Sequence, residues 1–235
     1  MKKYIFDVDG TLTPSRGVID SEFKKFFNNF CRSNQVFIVT GSDKPKTVEQ
    51  LGEDTYNLCH TAYQCNGNDV WQSKKHIRTN DWVLPTDAHD WLSVQLTESE
   101  FPLRTGLHFE HRPGMVNYSV VGRNADAQQR AEYVTWDEEQ LERIRIADKF
   151  NLRFPSLQAK VGGETGIDIG PKGADKSQII KDFDPDDKLH FYGDAMHKGG
   201  NDEPLAKVIL DNQYGFCYNI QDWKNTWILL KDYDN

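Results

Sequence analysis

The segment FDVDGTLT at residues 6–13 constrains this chain more than any other. It places Asp7 and Asp9 two residues apart at the end of the apolar run 4–6, where a glycine turn follows. Side chains two apart on a strand point to the same side, so both carboxylates can face one site. One can attack phosphorus while the other manages the proton of the leaving oxygen, provided that their surroundings separate their pKa values. An acidic strand end with an ordinary turn is the alternative, because short motifs have false positives.

Two further segments offer groups that can hold a phosphate. Residues 35–39 (QVFIV) predict a second buried strand, which runs into Thr40, Gly41 and Ser42, a flexible backbone beside a hydroxyl. Loops after strands are often rich in Ser and Gly, so this segment is weak evidence by itself. GADKS at 173–177 opens an apolar-periodic stretch and places Lys176 near a helix start, where a fixed cation can neutralise a phosphoryl group. A solvated surface lysine is the alternative.

A third strand end carries oxygen ligands suited to magnesium. The apolar run 189–193 ends at Asp194, and GGND follows at 199–202 with Asn201 and Asp202. An acidic loop without metal is the alternative for this segment alone. The order of a carboxylate pair, a hydroxyl, a lysine and an acidic pair along one chain favours a single phosphoryl-transfer site.

These four segments resemble the four motifs of the haloacid dehalogenase superfamily. The likeness is closer still to the eukaryotic phosphomannomutases, and it extends from Tyr4 to about Ala206. Its most specific part is FEHRPGMVNYSVVGR at 109–123, continued to Arg130, which resembles the family's substrate-binding cap segment with three arginines at matching spacing. Residues 193–202 resemble the family's metal loop.

The resemblance implies an α/β fold with a Rossmann-like parallel-sheet core of the haloacid dehalogenase type and an inserted α+β cap of antiparallel sheet plus helices. We expect a catalytic core domain at 1–78 and 171–235 and a cap at 79–170. The implied activity is a magnesium-dependent hexose phosphomutase. It would interconvert mannose 6-phosphate and mannose 1-phosphate through an aspartyl-phosphate. Glucose phosphates are further candidate substrates, and a hexose 1,6-bisphosphate is a candidate activator.

The resemblance also assigns residue roles. Asp7 is the expected nucleophile and Asp9 the expected acid and base, while Ser42 and Lys176 hold the transferring group. The expected metal ligands are Asp7, Asp9 through its carbonyl, Asp194, Asn201 and Asp202. The expected substrate-binding residues are Arg16, Gly41, Arg112, Asn117, Arg123, Arg130 and Asp168.

The three cap arginines indicate an anion site independently, because guanidinium groups fork onto phosphate oxygens and stay charged at any relevant pH. Salt bridges to Glu110 or Glu132 are the alternative. A mutase must hold a second phosphate while the first reacts, whereas a phosphatase holds only the one that it removes. A sugar-phosphate phosphatase is therefore the alternative function, and a sugar-phosphate-binding protein with idle chemistry is a third.

Some positions depart from the family's pattern. Thr40 stands in place of a glycine, Cys65 in place of a glutamate, and His197 with Lys198 in place of an apolar residue and a proline. Gly166 replaces a phosphate-contacting serine, which removes a hydrogen bond of about 0.5–1.5 kcal/mol.

Composition excludes several functions. A net charge of -8 argues against nucleic-acid binding, which needs a basic face. The N-terminal apolar run ends at Asp7, too soon for a signal sequence, and no later stretch is long enough to span a bilayer. Four cysteines without zinc spacing suggest reduced thiols and a cytoplasmic protein.

From the family resemblance we also expect a homodimer formed through the cap. The apolar residues Trp82, Trp91 and Leu92 would help to form its interface, or alternatively they belong to the core of the cap.

Periodicity and turn residues predict the coarse order of elements. Helices are expected from Asp20 or Ser21 through the phenylalanines to Phe30, between Pro45 and Gly52, and at 86–96, 126–150 and 221–233. Strands in the middle segment are expected at 107–111, 115–121, 156–161 and 165–169.

Overall fold

A computed structural model describes residues 1–15 and 17–233 of the chain. The chain divides into two compact units, Met1–Thr79 with Ala174–Asn235 and Asn80–Gly173. The assignment of the first unit as catalytic core and the second as cap stays a prediction. In the part of the chain that the structure describes, we find no helix both long and apolar enough to cross a membrane.

The elements are numbered in chain order. The strands are β1 (Lys2–Phe6), β2 (Val36–Val39), β3 (Thr61–Gln64), β4 (Asp69–Gln72), β5 (Lys75–Thr79), β6 (Phe109–Arg112), β7 (Met115–Tyr118), β8 (Leu157–Gly162), β9 (Gly166–Pro171), β10 (Lys188–Gly193) and β11 (Gly215–Asn219). The helices are α1 (Ser21–Ser33), α2 (Lys44–Leu51), α3 (Glu53–Leu58), α4 (Thr86–Glu98), α5 (Ala127–Gln140), α6 (Glu142–Arg153), α7 (Glu203–Asp211) and α8 (Trp223–Tyr233). Short 3-10 helices lie at Cys65–Gly67 and Lys176–Asp182.

The first unit is built on a seven-stranded sheet in the order β11-β10-β1-β2-β3-β4-β5. The pairs from β11 to β3 are parallel, while β4 and β5 extend the sheet as an antiparallel hairpin. Because β1 lies between β10 and β2, the loops after these three strands start from the same edge. The predicted parallel α/β sheet of the haloacid dehalogenase type is confirmed. Its strand order places the segments that begin at Asp7, Thr40 and Asp194 at one edge of the sheet.

Aromatic packing fixes α1 on this sheet. The side chain of Asp20 caps the helix by accepting hydrogen bonds from the Glu22 and Phe23 N–H groups at 2.9 and 3.0 Å. Phe27 is fully buried, with its ring edge-on to that of Phe6 at 5.2 Å between centroids. Each fully buried phenylalanine contributes about 1.5–3 kcal/mol. The predicted apolar face of this helix is confirmed.

The second unit has a four-stranded antiparallel sheet in the order β6-β7-β9-β8. Tyr118 and Phe150 are fully buried in its core, as is Leu92 of α4. Trp82 and Trp91 are partly buried against the same core, so they serve at least as core residues of this unit. The predicted antiparallel sheet with helices is confirmed.

One helix prediction in this unit is wrong. Residues 126–150 were expected to form a single helix, but the structure breaks it at Leu141, whose φ is 54°. The Asp137 carboxylate accepts hydrogen bonds from the Arg143 N–H at 2.9 Å and from its Nε at 2.7 Å. The first of these bonds gives a partner to a backbone N–H in the first turn of α6, which has none within the helix.

Candidate active site

Asp7 lies directly after β1 and is 3% exposed. Its N–H donates to the Tyr192 carbonyl at 2.9 Å, which extends the pairing of β1 with β10 by one residue. The chain then turns tightly, since the N–H groups of Leu12 and Thr13 both donate to the Val8 carbonyl. The sheet pairing thereby brings Asp7 beside Asp194, the residue that follows β10.

Gly10 allows this approach. Its φ is 74°, and a Cβ at this position would lie 2.2 Å from Oδ2 of Asp194. Any larger residue would meet the carboxylate as well as a strained backbone. The position of the Asp194 carboxylate therefore requires a glycine at residue 10.

Lys176 joins two of the carboxylates. Its Nζ donates to Oδ1 of Asp7 and to Oδ1 of Asp202, both at 2.7 Å, and the lysine is fully buried. The surface-lysine alternative is therefore wrong. Lys176 begins the 3-10 helix Lys176–Asp182, which Asp175 caps by accepting from the Ser177 N–H at 3.0 Å. Gln178 of the same helix donates to the Asn66 carbonyl at 2.8 Å, so the loop after β3 helps to hold the lysine in place.

Burial and pairing oppose each other in this group. Burial alone would lower the pKa of Lys176, but Asp202 and Asp7 outweigh it, and the pKa lies above that of an ordinary lysine. Burial raises the pKa of Asp7, Lys176 opposes this, and the net pKa lies above the ordinary range of an aspartate. The predicted nucleophile must be ionised to attack, so that role would need more positive charge near Asp7 than Lys176 supplies.

The carboxylates meet the requirements of a divalent cation. Asp7, Asp194 and Asp202 each place one oxygen so that all three lie within 4.8 Å of one another. Three ionised carboxylates beside one lysine leave a local charge that one divalent ion would neutralise, and oxygen ligands suit magnesium. Burial, with Asp202 as the second cause, raises the pKa of Asp194. These residues therefore fit magnesium.

Asn201 and the Asp9 carbonyl, the two further expected ligands, stay predictions. Asn201 is exposed in the loop before Asp202. The side chain of Asp9 is outside the group of three carboxylates, and its Oδ1 accepts a hydrogen bond from Nε2 of Gln50 at 2.8 Å. Asp9 thus has a setting different from that of Asp7, as an acid beside a nucleophile requires.

The loop after β2 carries Gly41 and Ser42. The Ser42 N–H donates to Oγ1 of Thr40 at 3.1 Å, and the Ser42 carbonyl accepts from the Cys65 N–H at 3.0 Å. The threonine that departs from the family's pattern therefore closes a local turn. Asp43 next caps α2 by accepting from the Lys46 N–H at 3.0 Å, so Ser42 lies just before a helix N-terminus.

In the second unit, Glu110 is the partner of two predicted phosphate-binding arginines. Its carboxylate accepts from Nη2 of Arg112 at 3.1 Å and pairs with Nε of Arg123 at 2.6 Å. Arg130 instead donates from Nε to the Ala125 carbonyl at 3.0 Å. Glu132 accepts from Gln128, so of the two alternatives Glu110 holds the first two arginines.

Strand register aligns further predicted residues with Glu110. Glu110 on β6 lies opposite Asn117 on β7, and Asn117 lies opposite Asp168 on β9. Directly opposed residues share one face of a sheet. Nδ2 of Asn117 donates to Oδ1 of Asp168 at 2.6 Å, while its buried Oδ1 has no hydrogen-bond partner among the described residues. Burial raises the pKa of Asp168, with Asn117, Arg112 and Arg123 opposing it.

Gly166 has a local explanation on the same face. A Cβ at Gly166 would lie 2.5 Å from Nδ2 of Asn117. A serine at this position would therefore require Asn117 to move from its bond with Asp168. The structure thus brings Arg112, Arg123, Asn117 and Asp168 together, whereas the predicted substrate residue Arg16 lies outside the described residues.

Sequence reasoning missed Gln50. It is 1% exposed on α2 and contacts Asp9, yet a single glutamine in a mixed helix gives no signal of a role. The sequence offered Glu110 and Glu132 as partners of the arginines but could not choose between them, because that choice depends on the folded arrangement.

The fold of this chain is similar to that of solved haloacid dehalogenase proteins. A solved haloacid dehalogenase subclass IIB sugar phosphatase superposes with a TM-score of 0.62 at 14% identity, over 100% of this chain and 99% of its own. A family model described as eukaryotic phosphomannomutase matches residues 23–231. The chain belongs to the eukaryotic phosphomannomutase family, a family of phosphotransferases.

Two curated relatives agree with this assignment. A phosphomannomutase of Saccharomyces cerevisiae is 32% identical over 84% of this chain and 82% of its own length. Phosphomannomutase 1 of Dictyostelium discoideum is 33% identical over 86% and 85%.

Proposed function

We propose that this protein is a magnesium-dependent hexose phosphomutase that interconverts mannose 6-phosphate and mannose 1-phosphate, with glucose phosphates as further candidate substrates. The single observation that carries the chemistry is the buried group of Asp7, Lys176 and Asp202 with Asp194 beside it. Membership of the phosphomannomutase family supports the choice of a mutase.

The reaction has two symmetrical halves. A carboxylate oxygen of Asp7 attacks the phosphorus of a hexose 1,6-bisphosphate, and the bond from phosphorus to the sugar oxygen breaks as Asp9 gives that oxygen its proton. A hexose 1-phosphate then binds with its free 6-hydroxyl next to the phosphorylated Asp7. That hydroxyl attacks the phosphorus as Asp9 takes its proton, the bond from phosphorus to Asp7 breaks, and a hexose 1,6-bisphosphate forms. After the bisphosphate changes ends, its 1-phosphate is transferred to Asp7 and hexose 6-phosphate is released. A hexose 1,6-bisphosphate is accordingly the proposed activator.

The remaining residues of the proposed site would bind the transferring phosphoryl group and neutralise its charge. Lys176 and Ser42 with the Gly41 backbone would bind the transferring phosphoryl group. Asp7, Asp194 and Asp202, with the Asp9 carbonyl and Asn201 as further candidates, would hold magnesium. When bound, that ion supplies positive charge to the phosphoryl oxygens and keeps Asp7 ionised.

The phosphate that is not being transferred needs its own site. Arg112, Arg123 and Arg130 are the proposed ligands, with Asn117 and Asp168 binding the sugar or orienting the arginines. Arg16 is proposed as a further substrate-binding residue on the family resemblance alone.

The test follows product identity. The protein is incubated with mannose 1-phosphate, with and without hexose 1,6-bisphosphate, while mannose 6-phosphate and inorganic phosphate are measured separately. We expect mannose 6-phosphate to form faster than phosphate, with a strong dependence on the bisphosphate, and Asp7→Asn to be the inactive control. Phosphate release without isomer formation would replace the proposal by a phosphatase.

A sugar-phosphate phosphatase is the second candidate, and one observation favours it. Arg112 and Arg123 are already paired with Glu110, so these arginines have a partner without a second phosphate. Water instead of a sugar hydroxyl would then attack the aspartyl-phosphate.

The proposed assembly is a homodimer formed through the second unit. A chain of 27.1 kDa should then show twice that mass in light scattering at micromolar concentration. A monomer mass across the concentration range would contradict the proposal.

A further inference from the structure

Gln50 connects the proposed general acid to the segment that follows the first motif. Its Nε2 lies 2.8 Å from Oδ1 of Asp9, 3.3 Å from Oγ1 of Thr13 and 3.3 Å from the Gly17 carbonyl. Its backbone carbonyl accepts from the Ile19 N–H at 2.8 Å. One residue near the end of α2 therefore holds both Asp9 and the chain that leads away from it.

The orientation of the amide follows from its neighbours. A backbone carbonyl can only accept, so the atom that faces Gly17 must be the nitrogen. The amide therefore donates to Oδ1 of Asp9 and cannot accept a proton from it in this arrangement. Oε1 of Gln50 is buried without a hydrogen-bond partner among the described residues. Packing alone would be served better by an apolar side chain, so the donated bonds account for the glutamine.

We infer that Gln50 is a positioning residue for Asp9, which fixes the carboxyl so that Oδ1 accepts from the amide and Oδ2 carries the proton to the departing sugar oxygen. The carbonyl oxygen of a protonated carboxyl is the better acceptor, so the bond from Gln50 to Oδ1 favours the proton on Oδ2. The contacts of Gln50 with Thr13 and Gly17 hold its amide in place, and the amide in turn holds the Asp9 carboxyl in one orientation as the reaction proceeds. The inference rests on the proposed function, in which Asp9 is the acid.

The inference predicts a loss that depends on the leaving group. A sugar alkoxide departs only with a proton, whereas 4-nitrophenolate is stable enough to depart without one. Misplacing Asp9 should therefore slow transfer from a hexose 1,6-bisphosphate and leave transfer from 4-nitrophenyl phosphate nearly unchanged. A general loss of folding would slow both reactions together.

The experiment measures the first phosphoryl transfer in a single turnover with excess protein and saturating magnesium. Gln50→Met keeps the side-chain volume and removes the donor. We expect release of hexose monophosphate to fall about tenfold to a hundredfold, on the scale of a displaced acid, with the nitrophenolate rate little changed. Gln64→Met is the matched control, because Gln64 is also fully buried but bonds to Thr47 and Tyr56 instead of an acid. This control should leave the ratio of the two rates as in the wild type.

Equal losses on both substrates, or an unchanged sugar rate, would overturn the role of Gln50. If Gln50→Met fails to fold, Gln50→Leu serves as the second variant, since it also removes the donor, and it should show the same selective loss. A wild-type protein that transfers nothing from either substrate would overturn the proposed function itself. A wild type that reacts, with Gln50 variants that react equally well, would remove only the inference about Gln50.

Discussion

Lys176→Met should destabilise the folded protein strongly, because it leaves two buried carboxylates without their shared cation. Lys176 and Asp202 are fully buried, Asp7 nearly so, and both ion pairs measure 2.7 Å. Methionine fills much of the space of the lysine stem, so lost packing is a small part of the effect. Removing one partner of a buried ion pair costs about 3–5 kcal/mol, a large share of the roughly 5–15 kcal/mol that holds a domain folded.

The effect should depend on pH in a defined direction. The folded-state pKa of Lys176 is raised, so its contribution is fully present below the unfolded pKa and is lost only at strongly alkaline pH. In the variant, Asp7 loses the cation that opposes its burial, and its pKa, already raised, rises further. A carboxyl whose folded pKa lies above its unfolded value costs stability when ionised and regains it as pH falls. The folded pKa of Asp7 is about 8 in the wild type, so both proteins keep this proton between pH 5 and pH 7. The difference from the wild type should therefore grow as the pH rises from 7 to 9, where only the wild-type carboxyl ionises.

The assay is thermal unfolding without magnesium at both pH values. For a chain of this size 1 kcal/mol corresponds to about 2–4 °C, so the variant should melt roughly 6–20 °C below the wild type at pH 7. Lys181→Met is the matched control, since Lys181 is exposed on the same 3-10 helix and should have almost no effect. Equal melting temperatures for the two variants, or a loss independent of pH, would refute the reasoning.

Three further predictions test the proposed chemistry. Asp7→Asn should abolish both turnover and labelling by beryllium fluoride, while Asp9→Asn should still be labelled but turn over about a hundredfold more slowly, as for a lost general acid; normal turnover of Asp7→Asn would end the covalent scheme. Excess chelator should remove activity and magnesium should restore it, and full activity in chelator would count against a metal. Arg123→Gln should cost several kcal/mol with a sugar bisphosphate or monophosphate and little with an aryl phosphate, because the aryl phosphate has no second phosphate to hold. A proportionate loss on both substrates would mean that Arg123 supports the fold.

The parts of the site that the sequence predicted share a simple cause. Asp7 and Asp194 each follow an apolar run that forms a central parallel strand, and parallel strands end at one edge. Strand alternation and neighbouring strands then bring distant segments together without detailed knowledge of packing. Lys176 was predicted near a helix start and does begin one, although the helix is of the 3-10 type.

The parts that were missed depend on tertiary contacts. The break at Leu141 is invisible because the charged pattern of α5 continues into α6, and the bonds from Arg143 to Asp137 that stabilise it close only in the folded chain. The edge strand β11 has alternating burial too weak to identify, since Phe216 is 59% exposed. Gln50 gives no local signal because its partner Asp9 lies 41 residues away in the chain.

The two sets of cations differ in a way that suits the proposed mutase. Lys176 is fully buried and paired with two carboxylates, so it would be a fixed part of the proposed transfer site. Arg112 and Arg123 are 23% and 29% exposed and share the 30% exposed Glu110, so solvent weakens these pairs and a phosphate can exchange with the carboxylate at low cost. The transferring phosphoryl group must be held rigidly, but the other phosphate must be released and rebound each time the sugar changes ends. In the proposed mutase, a fixed lysine would meet the first requirement and exchangeable arginines the second.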